Sequence, residues 1–400
     1  MRNKSIKLQY LRIVLVLFVL VGGYYQTVAQ EKEYQAIDLL PFRSSAGHWY
    51  GIKDDGNIIN PLPEKPRYNA NEITKIADNV LLFQRNNGGW PKNYDMQAIL
   101  TEEQRENVLH AKNEDHTTFD NSTGFSHINY LAEVYAQTKI EKYKKACLKG
   151  IDYVLEAQYK NGGWPQYYPL EKGDYSRRIT FNDGAYMGIM ELLQQVLNKD
   201  PKYDFVSAKT FQKVETAYKK GLECILAMQI ELNGKPTVWC QQHDEVDLSP
   251  AWARAFEPPS ICNGESVSVV LFLMNIDQPD KQIIAAVQNA VKWFADSRIY
   301  NTRVEMFKAE PMESKYKTVT MDKKVVTDES APPIWTRFYE LETGRPLFCD
   351  RNSKFLYSMA EVSRERRAGY GWYTYAPQEV LDKYPEWQKK WVPEHSVFSR

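Results

Sequence analysis

A motif that recurs along the chain constrains the fold more than any other feature of the sequence. The segment Gln-Arg-Asn-Asn-Gly-Gly-Trp-Pro at residues 84–91 returns as Gln-Tyr-Lys-Asn-Gly-Gly-Trp-Pro at 158–165, and a weaker copy begins at Gln229. The three glutamines lie 74 and 71 residues apart. Each follows apolar residues at helical spacing, and the glycine after it is typical of a helix end, because glycine accepts left-handed backbone geometry. The motif therefore marks the end of a repeated helix.

A second helical pattern lies between successive copies, around residues 128–135 and 185–193. One repeated unit is therefore a helical hairpin of about 70 residues, which is longer than the units of the common solenoids. A fourth, weaker copy includes Val287 and Trp293. Three or more hairpins can bury their apolar faces by closing into a ring, so we predict a mostly α-helical (α/α) toroid. Strand patterns are scarce, and the best one runs from Lys317 to Val326.

The N-terminus predicts a targeting segment. Basic residues and a short apolar run indicate a signal peptide over residues 1–29. The apolar run, from Leu11 to Val21, is too short for a comfortable membrane span, so we expect export to the periplasm, the cell surface or the medium. Residues 30–66 are rich in Pro and Gly and predict an irregular arm. Residues 67–400 would then form the toroid domain.

The composition excludes several classes of partner and cofactor. The formal net charge is zero, so we expect neither nucleic acid nor a transmembrane partner, and an anionic substrate would need a local cluster of cations. Five scattered cysteines without a Cys-x-x-Cys spacing make neither a disulfide framework nor a zinc site, and we expect buried free thiols. We expect the chain to be a monomer.

Charged residues stand in loops that would converge at one end of a toroid. Asp120 and Asp183 lie in two similar loops 63 residues apart, each just before a predicted helix. Either aspartate could be a helix N-cap worth about 1 kcal/mol, but the pair also suits a shared calcium ion, which prefers carboxylate oxygens. Arg254, Arg337 and Arg345 lie in segments rich in bulky residues, although Arg254 could instead anchor its loop to a carboxylate. Together these residues predict a site for an anion held partly through a metal.

Five motifs together resemble one family of enzymes. They are Asn-Gly-Gly-Trp-Pro-Lys-Asn at 87–93, Ile-Thr-Phe-Asn-Asp at 179–183, Trp-Ala-Arg-Ala-Phe-Glu-Pro-Pro-Ser at 252–260, Trp-Thr-Arg-Phe-Tyr-Glu at 335–340 with Arg-Pro-Leu-Phe at 345–348, and Arg-Arg-Ala-Gly-Tyr-Gly-Trp-Tyr at 366–373. Spread over residues 70–375, this combination is similar to that of pectate lyases of polysaccharide lyase family ten. The resemblance implies an (α/α)3 toroid. It also implies calcium-dependent β-elimination of polygalacturonate (pectate), giving 4,5-unsaturated oligogalacturonides.

The resemblance further implies roles for individual residues. Asp120 and Asp183 would hold the catalytic calcium, and Arg254 would be the base that takes the C5 proton of the uronide. The residues that bind polygalacturonate or pectin oligosaccharides would be Arg337, Arg345, Trp164 and Asn182.

The chemistry of β-elimination requires these residue types. The C5 proton lies α to a carboxylate whose negative charge makes that proton a very weak acid, and calcium bound to the carboxylate would neutralise the charge. Arginine as a base must be neutral or relay the proton, because its reference pKa is above about 12. A dry site with calcium and neighbouring arginines would favour the neutral form.

Two other functions remain open at this point. An inverting glycoside hydrolase on a helical toroid would need two carboxyl groups about 6.5–9.5 Å apart with water between them. Asp120 with Asp183, or Asp244 with Glu245, could supply such a pair, but the arginines would then be unexplained. A non-catalytic glycan-binding protein would keep the tryptophan loops and lose Arg254 or an aspartate, and the chain has kept all of them. Only a lyase would produce a conjugated, ultraviolet-absorbing end.

Overall fold

The computed structural model of the chain describes residues 33–42, 59, 62, 64–170, 173, 175–314, 318–394 and 396–398. The predicted signal peptide, residues 1–29, lies outside the described residues. Part of the predicted arm packs on the helical body, because Phe42 is buried with its ring centroid 5.2 Å from those of His127 and Tyr130. Among the described residues, no helix is both long and apolar enough to cross a membrane.

The helices form two stacked rows. In chain order they are α1 (Ile73–Phe83), α2 (Glu102–His110), α3 (Phe125–Thr138), α4 (Glu141–Ala157), α5 (Ala185–Leu197), α6 (Ala208–Ala227), α7 (Asn263–Met274), α8 (Lys281–Asp296), α9 (Arg364–Gly369) and α10 (Pro377–Trp391). Consecutive helices pack in pairs, α3 with α4, α5 with α6, and α7 with α8. The pairs lie side by side, so that α1, α3, α5, α7 and α10 form one row and α4, α6 and α8 form the other.

Strands lie in the connections and in the C-terminal third of the chain. In chain order they are β1 (Ile179–Thr180), β2 (Glu231–Leu232), β3 (Lys235–Pro236), β4 (Gln242–His243), β5 (Ile261–Cys262), β6 (Thr302–Glu313), β7 (Thr318–Thr327), β8 (Trp335–Thr336), β9 (Phe338–Tyr339), β10 (Pro346–Cys349), β11 (Phe355–Leu356) and β12 (Tyr373–Thr374). β6 and β7 make a long antiparallel hairpin. Short pairings β1–β4 and β8–β12 and the sheet β11-β10-β9-β5 tie the connections together. These pairings fix the loops that carry the charged residues.

The glutamine of the repeated motif has the same structural role in each copy. Gln84 Nε2 donates to the carbonyl of Gly88 in its own turn and to that of Ala146 in α4, both at 2.9 Å. Gln158 and Gln229 likewise bond a carbonyl in their own turns and one in the next helix, α6 or α8. Each amide therefore joins the end of one helix to the side of the next.

Buried tryptophans repeat in the same way. In each case the indole Nε1 donates to a carbonyl in the preceding long helix, and the four residues are Trp90, Trp164, Trp239 and Trp335. The acceptors lie in α1, α4, α6 and α8 respectively. The bond made by Trp335 shows that the weak fourth copy, which ends in α8, is a structural repeat.

The core consists of a large cluster between the helix rows and a smaller second cluster. The second cluster includes Phe256, Phe338, Tyr370 and Trp372 and belongs to the strand-rich part of the chain. All five cysteines are buried and free, which confirms the prediction of free thiols.

The predicted mostly α-helical (α/α)3 toroid is wrong. Of the described residues, 45% are helical and 15% lie in strands. The rows are also open: α1 packs on α3 and α4, and α10 packs on α7 and α8, but no comparable packing joins α1 to α10 in the ranges that the structure describes. The predicted toroid domain, residues 67–400, also includes the chain beyond α8, where most strands have only two to four residues and leave no visible alternation in the sequence. The strand pattern from Lys317 to Val326 corresponds to β7, with Lys317 itself outside the described residues.

The motif glycine at position 162 gives a test of the helix-to-helix packing. Gly162 has φ +97°, and a Cβ built on it would lie 2.1 Å from the carbonyl oxygen of Lys220 in α6. Gly234 also has a positive φ, +73°, but a Cβ there would meet nothing within 4 Å. We expect Gly234→Ala to lower the free energy of unfolding by about 1–2 kcal/mol through left-handed strain alone. Gly162→Ala should cost about 1–3 kcal/mol more, because the backbone must also move. Equal losses in urea unfolding would contradict this packing.

Candidate active site

The two loops that carry Asp120 and Asp183 have the same local structure. In the first, the backbone N–H of Asp120 donates to Thr118 Oγ1 at 3.0 Å, and in the second that of Asn182 donates to Thr180 Oγ1 at 3.2 Å. The next residue in each loop is left-handed, Asn121 with φ 51° and Asp183 with φ 51°. Asp120 therefore corresponds to Asn182, and Asn121 corresponds to Asp183. The two loops also pack against each other. Each loop therefore contributes one aspartate, but from a different position: Asp120 from the first position of its pair and Asp183 from the second.

The carboxyl groups of Asp120 and Asp183 lie close enough to interact directly. Asp183 keeps an exposed surface, yet desolvation of its carboxyl, the negative charge of Asp120 and a smaller effect of Glu265 raise its pKa to about 7. Asp120 is buried, and its Oδ1 has no hydrogen-bond partner. A buried carboxylate oxygen without a partner, facing a second carboxyl, is an arrangement that a cation would stabilise.

Lys92 fixes the charge of Asp120. Its Nζ lies 2.5 Å from Asp120 Oδ2 and 5.4 Å from the centre of the Tyr167 ring. Burial acts to raise the pKa of Asp120, but the Lys92 ammonium outweighs it and holds that pKa below its usual range. Asp120 is therefore ionised at neutral pH, whereas Asp183 titrates there.

Arg254 is held by a buried carboxylate three residues later in its own turn. Its Nε donates to Glu257 Oε2 at 2.7 Å, and its Nη2 donates to Glu257 Oε1. Glu257 is fully buried and also accepts a hydrogen bond of 2.8 Å from the hydroxyl of Tyr370. Partial burial acts to lower the pKa of Arg254, but Glu257 outweighs it and raises that pKa above its usual value. Arg254 is thus a half-exposed cation, near enough to Asp183 to lower the pKa of that carboxyl.

Arg337 belongs to the same network. It lies between β8 and β9, and its Nη2 donates to Glu265 Oε1 in the first turn of α7. Its guanidinium carbon lies 4.6 Å from the centre of the Tyr370 ring, so Tyr370 contacts both arginine–glutamate pairs. The Nε of Arg337 is buried without a hydrogen-bond partner.

The remaining predicted residues have different surroundings. Arg345 is exposed, with its guanidinium carbon 4.1 Å from the centre of the Tyr357 ring, and none of its described contacts joins it to Arg254 or Asp183. Asn182 is buried beside Asp183. Trp164 is buried as well, and its Nε1 donates to Val154 O at 2.8 Å. The predicted sugar-binding role of Trp164 is therefore corrected, since its ring packs in the core and has no surface to offer a substrate.

Comparisons with known proteins show the family of the chain. Residues 84–381 match the family model described as pectic acid lyase. The chain belongs to the pectate lyases. A solved family 10 polysaccharide lyase from Cellvibrio cellulosa is 32% identical, with TM-score 0.66, covering 79% of this chain and 95% of that one. A variant of the Cellvibrio family 10 enzyme, in complex with trigalacturonic acid, is 31% identical with the same TM-score, covering 79% of this chain and 96% of that one. None of the curated protein sequences compared with the chain matches it.

Several residues of the candidate site were not found from the sequence. Lys92 forms an ion pair with Asp120. Glu257 forms an ion pair with Arg254, and Glu265 forms one with Arg337. Glu257 could have been found, because it lies three residues after Arg254 in one turn-forming motif. Glu265 and Tyr370 could not, because their contacts join segments 72 and 113 residues apart.

Further arginines of the lyase surround Phe256. The guanidinium carbons of Arg254, Arg366 and Arg351 lie 4.9, 4.7 and 5.3 Å from the centre of its ring. Arg351 and Arg366 both pair with Glu365. Phe256 thus brings Arg351 and Arg366, from distant segments of the chain, beside the turn of Arg254.

The carboxyl groups do not suit an inverting hydrolase. Asp120 and Asp183 interact directly, which places their carboxyl groups closer than the separation of about 6.5–9.5 Å that an inverting hydrolase needs. Asp244 and Glu245 are both paired with Arg178. No cluster of three or more His, Cys, Asp or Glu residues suited to a metal occurs among the described residues. A cation between the two aspartates would therefore need water or substrate for its other ligands.

The raised pKa of Asp183 predicts a pH-dependent stability of the metal-free lyase. Its pKa is about 7 in the folded protein against an ordinary value of 3.8, so the folded state binds the proton more tightly. The resulting stabilisation is fully present below the ordinary pKa and is lost as pH rises through the folded pKa. With a chelator present, the unfolding free energy of Asp183→Asn should fall less between pH 5 and pH 8 than that of the wild type. Equal slopes in urea unfolding would contradict the raised pKa.

Proposed function

We propose that this pectate lyase cleaves polygalacturonate by calcium-dependent β-elimination, with Asp120 and Asp183 holding the ion. The unpaired, buried Oδ1 of Asp120 beside the carboxyl of Asp183 carries the proposal. Both groups offer the oxygen ligands that calcium prefers, and two protein carboxylates leave positions for water and for a uronide carboxylate. When bound, calcium neutralises the carboxylate next to C5 and makes the C5 proton more acidic.

Arg254 is the residue that we assign to removal of the C5 proton. Its Nε and Nη2 are bonded to Glu257, while Nη1 makes no hydrogen bond among the described residues. Nη1 is therefore the nitrogen that can approach the substrate. Glu257 favours the protonated guanidinium of Arg254. A dry site with neighbouring cations would have the opposite effect on the pKa of Arg254. Arg254 must therefore lose a proton before it acts as a base. Its half-exposed side chain can exchange that proton with water.

In this proposal, Arg337 and Arg345 bind the carboxylates of the substrate. Arg345 is exposed and makes no ion pair within the described ranges, so its guanidinium is available to a uronide carboxylate. Arg337 is held by Glu265 and Tyr370 in a fixed orientation beside Arg254. Asn182, which occupies the loop position of Asp120, would contribute a neutral amide next to the cation.

We further propose that the enzyme is exported and acts as a monomer. Residues 1–29 would serve as the signal peptide and residues 30–66 as an arm. Residues 67–400 would make up the catalytic domain, and the substrate would be pectin oligosaccharides or polygalacturonate.

Removal of calcium should abolish activity. The rate of 4,5-unsaturated product formation, followed by its ultraviolet absorbance, should vanish in excess chelator and return with calcium but not magnesium, which sheds its waters reluctantly. Asp183→Asn should need at least about tenfold more calcium for half-maximal rate. Asp277→Asn, at an exposed carboxylate between α7 and α8, is the matched control and should behave as the wild type. Full activity in chelator would end the calcium proposal, and an unchanged calcium requirement would make Asp183 a loop residue only.

Replacement of Arg254 tests its assignment as the base. Arg254→Lys keeps a cation beside Glu257 but changes the pKa, the reach and the planar geometry, so kcat should fall by at least about 10²-fold. Oligogalacturonate should still bind, which separates this loss from a binding defect. Arg303→Lys, in an exposed ion pair with Asp328 on the β6–β7 hairpin, is the control and should leave kcat unchanged. Near-native turnover in a folded Arg254→Lys protein would reduce Arg254 to an anchor of its turn.

A further inference from the structure

A cleft of about 610 Å³ opens beside Arg254, and the proposed reaction leaves it without a role. Its lining includes Tyr175, Arg177, Arg178, Glu245 and Trp252. The volume falls within the range of small-molecule sites, about 300–1,000 Å³. The cleft therefore has the size of a binding site for part of a substrate.

The cleft is connected to the active site through two segments of the chain. Trp252 directly precedes the turn of Arg254, and Tyr175 is close enough to Arg254 to affect its pKa. Arg178 leads into β1, which is paired with β4 and followed by the loop of Asp183. A polymer bound at Arg254 could therefore continue into this cleft.

Two aromatic side chains are exposed at the cleft. Trp252 and Tyr175 are 38% and 37% exposed, whereas most tryptophans among the described residues lie in the core. Phe355 supports Trp252, with ring centroids 6.0 Å apart. A large supported ring that remains in contact with water can pack against the apolar face of a sugar.

The two arginines of the cleft are held differently. Arg178 bonds both Asp244 and Glu245, the latter at 2.7 Å. Arg177 bonds Glu245 through Nε alone, at 2.5 Å, and its two terminal nitrogens make no hydrogen bond among the described residues. Those two nitrogens form the fork that accepts a carboxylate in a bidentate manner. Arg178 thus fixes the wall of the cleft, while Arg177 can bind an anion.

We infer that this cleft binds an additional galacturonate unit of the substrate chain, adjacent to the units at the cleavage site. Trp252 packs on its pyranose ring, and the terminal nitrogens of Arg177 bind its carboxylate. An aromatic ring together with the two terminal nitrogens of Arg177 selects a sugar that carries a negative charge, and neither group alone would do so. The inference rests on the proposed function, since it places the cleft along the path of the polyuronide past Arg254.

The experiment measures kcat and KM on oligogalacturonates of increasing length. For the longest oligomers, Trp252→Ala and Arg177→Ala should each raise KM at least about tenfold, the loss of one good contact, with kcat little changed. For the shortest oligomer that the wild type cleaves, the change should be less than about twofold, because that oligomer does not reach the cleft. Trp252→Phe and Arg177→Lys should restore part of the affinity. Tyr300→Ala and Arg303→Ala, at exposed positions near and in the β6–β7 hairpin, are the matched controls and should match the wild type at every length.

The outcomes separate this inference from the proposed function. An equal loss at all lengths, or no loss at any length, in variants that unfold at the wild-type temperature would overturn the cleft assignment. Activity that survives chelation or Arg254→Lys would instead overturn the proposed roles of Asp120, Asp183 and Arg254. The dependence on chain length would then still report on the cleft, because it compares substrates within one variant.

Discussion

The amide of each motif glutamine sets the position of the loop that follows it. By bonding both its own turn and the next helix, Gln84 holds the end of α1 against α4, and Gln158 and Gln229 do the same further along the chain. Glycine is needed beside this bond, because the turn approaches the next helix too closely for a side chain at Gly162. The segments after the turns therefore start from equivalent places on successive helices, and this equivalence brings the loops of Asp120 and Asp183 into contact.

Ion pairs determine which charged groups of the candidate active site are available to react. Lys92, Arg254 and Arg337 are each paired with a carboxylate that is at least 90% buried, so none of these pairs can be broken without a large cost. Asp183 makes no ion pair with a described residue and carries the raised pKa. The site thus combines fixed cations with one carboxyl that is poorly stabilised in its charged form. A divalent cation would relieve that deficit, which is the physical basis for assigning it there.

Local signals in the sequence predicted part of this arrangement. The sequence predicted the helix ends at Gln84 and Gln158 and the similarity of the two aspartate loops, and the structure has both. These features depend on contacts within a few residues. The closed toroid is wrong because the chain beyond α8 forms strands, and apart from β6 and β7 these strands are too short to show a period. Trp164 was misassigned because the Gly-Gly-Trp motif does not reveal which way the indole points. Glu265 and Tyr370 act through long-range contacts, which no local pattern encodes.

A chain with zero net charge can bind a polyanion if the positive charges around the site are the exposed ones, and three ion pairs near Arg254 and the cleft are arranged in that way. The side chain of Arg254 is 49% exposed while that of Glu257 is 0% exposed, and Arg177 is 35% exposed against 10% for Glu245. Arg351 and Glu365 show the same asymmetry, at 39% and 10%. In each pair the glutamate is the more buried partner and the arginine is the more exposed one. A substrate that approaches from solvent therefore contacts guanidinium groups first. The zero net charge therefore describes the whole chain and not the surface that a polyuronide would meet.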